Sequence, residues 1–292
     1  MIDFKKLLLE EKKKALSQTS TSQDKFQIQA PDISNTTNRI STATATTTSN
    51  QDSSDNESID NILSNQNTVE YNLFLKGIQD KLVQYKLKNT EIDSIYLIEN
   101  YITEEEEKEL MENVYADEND GQWVQLKRRR LQNWGGQPIP KGMVEEIIPK
   151  WLDIYCIKVS EFFKKKPNHI LLNEYSYNQG IFPHKDGPLF FPCVSILSLG
   201  STCIMDFYKE LNDKNTQQVF LRPRSLLLFT QDAYKNYYHG IREEYFDIIT
   251  ENVINKEGLE IGQEIEREVR VSLTIRIVPN TIRKRTKEEQ EQ

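Results

Sequence analysis

The chain has 292 residues, 37% hydrophobic and 28% charged, which suits one large domain with tails and is somewhat polar for a fully globular sequence. With 37 Lys and Arg against 45 Asp and Glu, a net charge of -8, it is not a globally basic nucleic-acid binder, though local basic patches can still hold phosphate. Three cysteines, Cys156, Cys193 and Cys203, with no CxxC pair, argue against a disulfide framework or zinc ribbon and fit a reducing compartment.

The opening "MIDFKKLLLEEKKK" returns to charge too soon for a signal peptide, and no stretch approaches the roughly 18 apolar residues of a membrane span. The expected setting is the cytoplasm and nucleus, without membrane association and as a monomer. Residues 1–68 read as a disordered Ser/Thr/Asn-rich tail with a short charged helix at 1–16; "STATATTTSNQDSSDNES" has too little apolar surface to offset its ordering entropy. Tyr71, Phe74, Leu75, Ile78, Leu82 and Tyr85 recur at helical spacing, predicting a helical lead-in over 69–91.

The folded domain is expected over 92–282. "SIYLIENYI" reads as its first strand, and "TEEEEKELMENVY" as a helix capped by Thr103 with acidic residues in its first turn. "GMVEEIIPKWLDIYCIKVSEFF" reads as helix interrupted near Pro149. Short apolar or alternating runs then appear at 170–177, 193–199, 203–208, 219–221, 225–230 and 269–278, separated by turn residues, the pattern of a sandwich or jelly roll. Residues 243–267 read as a charged insertion loop, and 283–292 as a solvated tail. The predicted class is mainly β with flanking helices around a double-stranded β-helix (jelly-roll, cupin-like) core.

One of only three histidines opens "HKDGP". His184 and Asp186 are two apart, so in an extended segment they face the same way. Two histidines and one carboxylate with open positions make a facial triad for non-haem Fe(II). His239, in "YYHGI", lies several strands downstream and can return to the same mouth. Alone, the pair is equally a polar loop. The last strand, "VRVSLTIRIV", shifts that balance: Val269, Val271, Leu273, Ile275 and Ile277 share one face, Arg270, Ser272, Thr274 and Arg276 the other. That second face is either solvated or a cationic wall in a cleft, where arginine forks pair with a dicarboxylate. In "ILLNEYSY", Leu171, Asn173, Tyr175 and Tyr177 share a face, so Asn173 and Tyr175 can bond the same ligand, although Tyr175 also fits simple core packing.

Together, "NEYSYNQGIFPHKDGPLFFPCVSILSLGS", "DFY", "LRPRSLLLF", "YYHGI", "VRVSLTIRIVP" and the upstream "WVQLKRRRLQNWGG" resemble the AlkB family of Fe(II)/2-oxoglutarate-dependent dioxygenases, and within it the AlkB homologue 6 subgroup, over roughly residues 92–282. The resemblance implies iron held by His184, Asp186 and His239, and 2-oxoglutarate held by Asn173, Tyr175, Arg270 and Arg276 with Thr274 nearby. Better-known members carry Asn two residues after the first arginine; here Ser272 stands there, shorter and without the amide. The implied reaction consumes 2-oxoglutarate and dioxygen, releases succinate and carbon dioxide, and hydroxylates a substrate C–H bond. On an N-methyl carbon the product collapses to formaldehyde and demethylated nitrogen.

Residues 126–138, "LKRRRLQNWGGQP", occupy the region that AlkB relatives use as a lid over the target nucleotide. Lys127, Arg128, Arg129 and Arg130 can contact phosphates, Trp134 can stack on an unpaired base, and "NWGG" reads as a turn with mobile glycines; a solvated charge run beside a buried tryptophan is the plainer reading. The implied function is oxidative demethylation of N-alkylated nucleic acid, DNA or RNA. The competitors are a hydroxylase or demethylase of a protein side chain, and a binding scaffold with a vestigial iron site.

Overall fold

The computed structural model describes residue 62, residues 68–213 and residues 216–282. Apart from residues 62 and 68, the expected N-terminal tail with its short helix lies outside the described residues, as does the tail at 283–292. Strand alternation builds two facing sheets. The larger has seven strands, all neighbours antiparallel, in the order β1 (Ile95–Ile98), β10 (Leu226–Thr230), β7 (Cys193–Gly200), β14 (Arg270–Arg276), β5 (His169–Tyr175), β3 (Arg130–Trp134) and β2 (Val124–Gln125). The smaller has four, in the order β6 (Ile181–His184), β11 (Tyr238–Ile241), β8 (Cys203–Tyr208) and β9 (Gln217–Leu221), also antiparallel. Val194 and Ile196 of β7 and Leu227 and Phe229 of β10 meet Met205, Phe207, Val219 and Leu221 of the small sheet in one core. This is the expected jelly-roll architecture.

The other face of the large sheet carries Ile170, Leu172, Leu197, Leu199, Leu226, Leu228, Val271, Leu273 and Ile275. It is covered by three helices, α1 (Val69–Leu82), α2 (Glu104–Val114) and α3 (Lys150–Phe163). Central strands β7 and β10 are therefore buried on both sides, which is why their sequences are continuous apolar runs rather than alternations. α1 lays Tyr71, Phe74, Leu75, Ile78 and Leu82 against the core at helical spacing. α2 opens with a capping box: the Thr103 hydroxyl accepts from the Glu106 amide at 3.2 Å, and the Glu106 carboxylate accepts from the Thr103 amide at 3.0 Å.

Three segments differ from the sequence expectation. Pro149 starts α3 rather than interrupting a longer helix, because its missing N–H costs nothing at a helix N-terminus; upstream, β4 (Met143–Val144) pairs in parallel with β15 (Thr281–Ile282). Residues 243–267 contain a two-stranded sheet, β12 (Phe246–Ile248) with β13 (Glu264–Glu266). That segment covers the outer face of the small sheet, packing Ile249 and Val253 on Ile204 and Phe220 and burying an Arg267–Asp247 ion pair at 2.5 Å. Finally, part of the "LKRRRLQNWGG" run is a strand of the large sheet, β3, and its glycine is needed for close approach: at Gly135 (φ 92°) a Cβ would meet the Asn168 carbonyl oxygen at 2.1 Å. No described helix is long and apolar enough to cross a membrane.

Candidate active site

Register decides which side chains meet between the sheets. Across β5, β14 and β7, Tyr175 pairs with Arg270, Asn173 with Ser272 and Ser198, Leu171 with Thr274 and Ile196, and His169 with Arg276. These residues share the face toward the small sheet, since their neighbours Ile170, Leu172, Leu273 and Ile275 face the helices. On the small sheet β6 and β11 pair His184 with His239, with a bulge just beyond. Gly240 permits that approach: a Cβ there would meet the Ile181 carbonyl oxygen and the Pro183 nitrogen, each at 2.9 Å. The two imidazole rings stand 4.4 Å apart between centroids.

Asp186 lies in the connection from β6 to β7 and joins the sheets electrostatically. One carboxylate oxygen pairs with the Arg276 guanidinium. The other stands 3.6 Å from His239 Nε2 and, although buried, makes no hydrogen bond. Burial raises the Asp186 carboxyl, but Arg276, His239 and His184 outweigh it and hold the group below its ordinary value. Burial pushes the His239 imidazole down to about 4 despite Asp186, so at neutral pH it is the uncharged, lone-pair-bearing form a metal needs. His184 Nδ1 lies 2.9 Å from the Phe182 carbonyl oxygen; as donor there it leaves Nε2 as the free lone pair.

As the side chains stand, no three His, Cys, Asp or Glu residues among those described are grouped to hold a metal ion, and Asp186 is engaged by Arg276. The donor set nonetheless fits Fe(II): two neutral imidazoles, one carboxylate and an orphaned buried carboxylate oxygen directed at one of those imidazoles.

A second group of unpaired atoms fits a dicarboxylate. Arg270 is 3% exposed and meets only Ser198, whose hydroxyl accepts from Nη2 at 2.9 Å; its Nε and Nη1 are buried without partners. Among the described residues no carboxylate forms an ion pair with it. A buried guanidinium so placed is costly unless an anion joins it. Tyr175 lies against it, 5.7 Å from ring centroid to guanidinium carbon, its hydroxyl pushed up to about 12 by burial. Asn173 accepts from Arg129 Nε at 2.8 Å. Ser272 sits between Asn173 and Ser198, its short side chain beside the Ser198 hydroxyl that Arg270 uses. Arg276 stacks on Phe190 at 3.9 Å, and its Nε is also unpaired.

The lid candidates divide. Lys127 is exposed, Arg128 lies over Phe182, and Arg129 reaches Asn173 in the site. Arg130 and Trp134 lie on the other face of the sheet and are corrected accordingly. Arg130 forks onto Glu174 at 2.7 and 2.8 Å and covers Trp123. Trp134 packs edge-on to Trp151 of α3 and cannot stack on a nucleotide at the site. Their register with Glu174 and Ile170 fixes this, but it is invisible unless the run is first recognised as a strand. The sequence reading also passed over His169. Its Nε2 bonds Asn133 Oδ1 at 2.9 Å, its Nδ1 is buried and unpartnered, and burial aided by Arg276 lowers it to about 3. Its pairing with Arg276 was the available signal.

The 2OG-Fe(II) oxygenase superfamily model matches residues 99–276. The chain is 42% identical over 206 residues to the probable RNA/DNA demethylase ALKBH6 of Danio rerio, spanning 65% of this chain and 88% of that protein. It is 31% identical over 213 residues to the uncharacterized protein L905 of Acanthamoeba polyphaga mimivirus, spanning 70% and 93%. It is likewise 31% identical over 211 residues to the tRNA (carboxymethyluridine(34)-5-O)-methyltransferase ALKBH8 of Macaca fascicularis, of which it spans 31%. The match includes the strands that carry Asn173, His184, His239 and the arginines of β14 and the connection that carries Asp186, and the chain belongs to the 2OG-Fe(II) oxygenase superfamily, in its AlkB family, with Fe(II) as cofactor and 2-oxoglutarate and dioxygen as cosubstrates.

Proposed function

We propose that this chain oxidatively demethylates N-alkylated nucleic acid. His184, Asp186 and His239 hold the iron. Arg270, with Tyr175 and Asn173, receives the distal carboxylate of 2-oxoglutarate, while Arg276 holds Asp186 in place and Thr274 lines the wall between the two arginines. Iron at this position supplies the oxidation of a substrate C–H bond by dioxygen, coupled to conversion of 2-oxoglutarate to succinate and carbon dioxide. The chain's own contribution is position and exclusion: polar side chains buried between two sheets, a neutral His239, and a guanidinium whose partner is an incoming anion. Hydroxylation of an N-methyl carbon yields a carbinolamine that breaks to formaldehyde and the free N–H.

The observation that carries the substrate reading is at the mouth. Lys127, Arg128 and Arg129 run consecutively along its rim, and Arg129 touches the cosubstrate set through Asn173. Cations so placed suit a phosphodiester backbone, in a chain that is otherwise acidic, and the similarity to a protein named as an RNA/DNA demethylase supports the same substrate class. The test is incubation with Fe(II), 2-oxoglutarate and single-stranded oligonucleotides bearing N-methylated bases, following formaldehyde and loss of the methyl group by mass spectrometry. Release of both, abolished by Asp186→Ala, supports the proposal. Succinate formation with no demethylation of any methylated DNA or RNA would overturn the substrate class.

A further inference from the structure

β6 is the edge strand of the small sheet and carries His184 at its end. Beside it runs a cavity of about 260 Å³ lined by Arg128, Phe182, Pro183, Tyr208, Arg242 and Glu243. None of His184, Asp186 and His239 lines it. Phe182 is 65% exposed, and the Arg128 guanidinium carbon stands 3.7 Å from its ring centroid. Glu243 fixes that guanidinium through an ion pair at 2.5 Å. One side of the ring is thus covered by a held planar cation and the rest is open. Arg242 contributes a second, half-exposed cation, tied to buried Asp206 at 2.7 Å.

A lone exposed phenylalanine needs no explanation. This one is different because of its connections. Its carbonyl oxygen lies 2.9 Å from His184 Nδ1, so the residue is tied directly to an imidazole proposed to hold the iron. Arg128 follows Lys127 and precedes Arg129, the cations of the substrate rim. Aromatic rings and guanidinium planes are the surfaces on which unpaired bases stack, whatever the base.

We infer that the Phe182–Arg128 pair is the stacking subsite for an unpaired base flanking the methylated one, in a single-stranded substrate. This rests on the nucleic-acid reading above and names the part of the surface that grips the strand. The aromatic side chain of the rim is Phe182 of β6, not Trp134 of β3. Arg242, which lines the same cavity, and exposed Lys127, next to Arg128 in the chain, are the cations available to the phosphates that bracket the stacked base. The ion pair with Glu243 holds Arg128 in its stacked position before the strand arrives, so little side-chain freedom is lost on binding.

The test uses protein loaded with Mn(II) and 2-oxoglutarate to block turnover, and a fluorescein-labelled single-stranded oligonucleotide with one N-methylated adenine. A single abasic site is moved through the positions on either side of the methylated base, and binding is followed by anisotropy. Wild type should lose about tenfold in affinity when one particular flanking base is missing, the size expected of one base–aromatic stack. Phe182→Ala should bind the intact strand about tenfold more weakly and be indifferent to the abasic site there. Phe182→Trp should keep the positional preference. An abasic scan that is flat in wild type, or a positional preference that survives in Phe182→Ala, overturns the subsite while leaving the nucleic-acid reading in place. If wild type binds neither the intact nor the abasic strands, the nucleic-acid reading fails and the subsite with it.

Discussion

Arg270 is the residue whose surroundings make least sense without a ligand. It is a buried cation with one hydroxyl for company and two N–H groups idle. Removing such a charge should help the empty protein and harm the loaded one. Arg270→Met keeps the length and apolar stem, so ligand-free protein should melt at the same temperature or higher. At the same time, millimolar 2-oxoglutarate, which should raise the melting temperature of wild type, should leave that of the variant unchanged. A variant that is destabilised when empty yet still stabilised by 2-oxoglutarate would place the distal carboxylate elsewhere. His169 makes an opposite kind of demand. Burial, with Arg276 beside it, lowers its folded value to about 3 from an unfolded value near 6.5. The folded state therefore refuses a proton that the unfolded chain accepts. Its contribution to stability is complete above pH 6.5 and is lost as pH falls toward 3, at up to about 1.4 kcal/mol per pH unit for one proton. His239, lowered to about 4, acts with the same sign. In urea unfolding of metal-free protein at pH 7 and pH 5, His169→Gln should lose less stability between the two than wild type; equal losses would mean that His169 does not titrate as its burial requires.

Among the elements, a six-residue helix ties together two parts of the candidate iron site. α4 (Gln231–Asn236) leads straight into β11 and His239. It also reaches back to both neighbours of Asp186: the Tyr234 hydroxyl donates to the Gly187 carbonyl at 2.5 Å, and Lys185 Nζ donates to the Lys235 carbonyl at 2.9 Å. One turn of helix thereby ties the carboxylate's loop to the strand of the second imidazole. Tyr234→Phe removes one buried hydrogen bond, worth about 1 kcal/mol, and should weaken Fe(II) binding roughly fivefold in an anaerobic titration read by the visible band of the iron–ketoacid chelate. An unchanged iron affinity would show that the loop holds its own shape. None of this was legible in the sequence, where "TQDAYKNYYHGI" offers no capping box and only a weak helical period. The strands β5, β7, β8, β10 and β14 were legible because alternation or a long apolar run marks them. β3 and β6 were not: β3 hides in a run of cations that face two different ways, and β6 contains Pro183, tolerated because it lies on a sheet edge. Without the strand, Trp134 could be read either as a base-stacking residue or as a buried tryptophan beside a charge run, and register favours the second, since one residue along a strand separates the site from the helical face. The structure brings the metal and cosubstrate candidates together between the sheets because Asn173, Tyr175 and the β14 residues are positions on alternating strands and His184 and Asp186 are two apart, periods that survive folding; His239 has no such period and is assigned only through the family resemblance.

At the scale of the molecule, the candidate site is where two separately built layers meet. Arg270 and Arg276 belong to the large sheet, His184 and His239 to the small one, and Asp186 to the connection between them. A metal on the small sheet and a ketoacid on the large one should act as a clasp between the layers. Binding to the folded state alone stabilises by about 2.7 kcal/mol at a hundred times the dissociation constant, which for a domain of this size corresponds to about 5–10 °C in melting temperature. Mn(II) with 2-oxoglutarate should therefore raise the melting temperature by that amount, and by more than the sum of the shifts each gives alone. The excess measures their coupling, which must be reciprocal: metal should tighten ketoacid binding by the same factor as ketoacid tightens metal binding. Asp186→Ala should remove the metal's shift and the excess together, leaving the smaller effect of 2-oxoglutarate on Arg270. Strictly additive shifts in wild type would instead mean that the two ligands occupy the two sheets independently, and that closure between the layers is already complete in the empty protein.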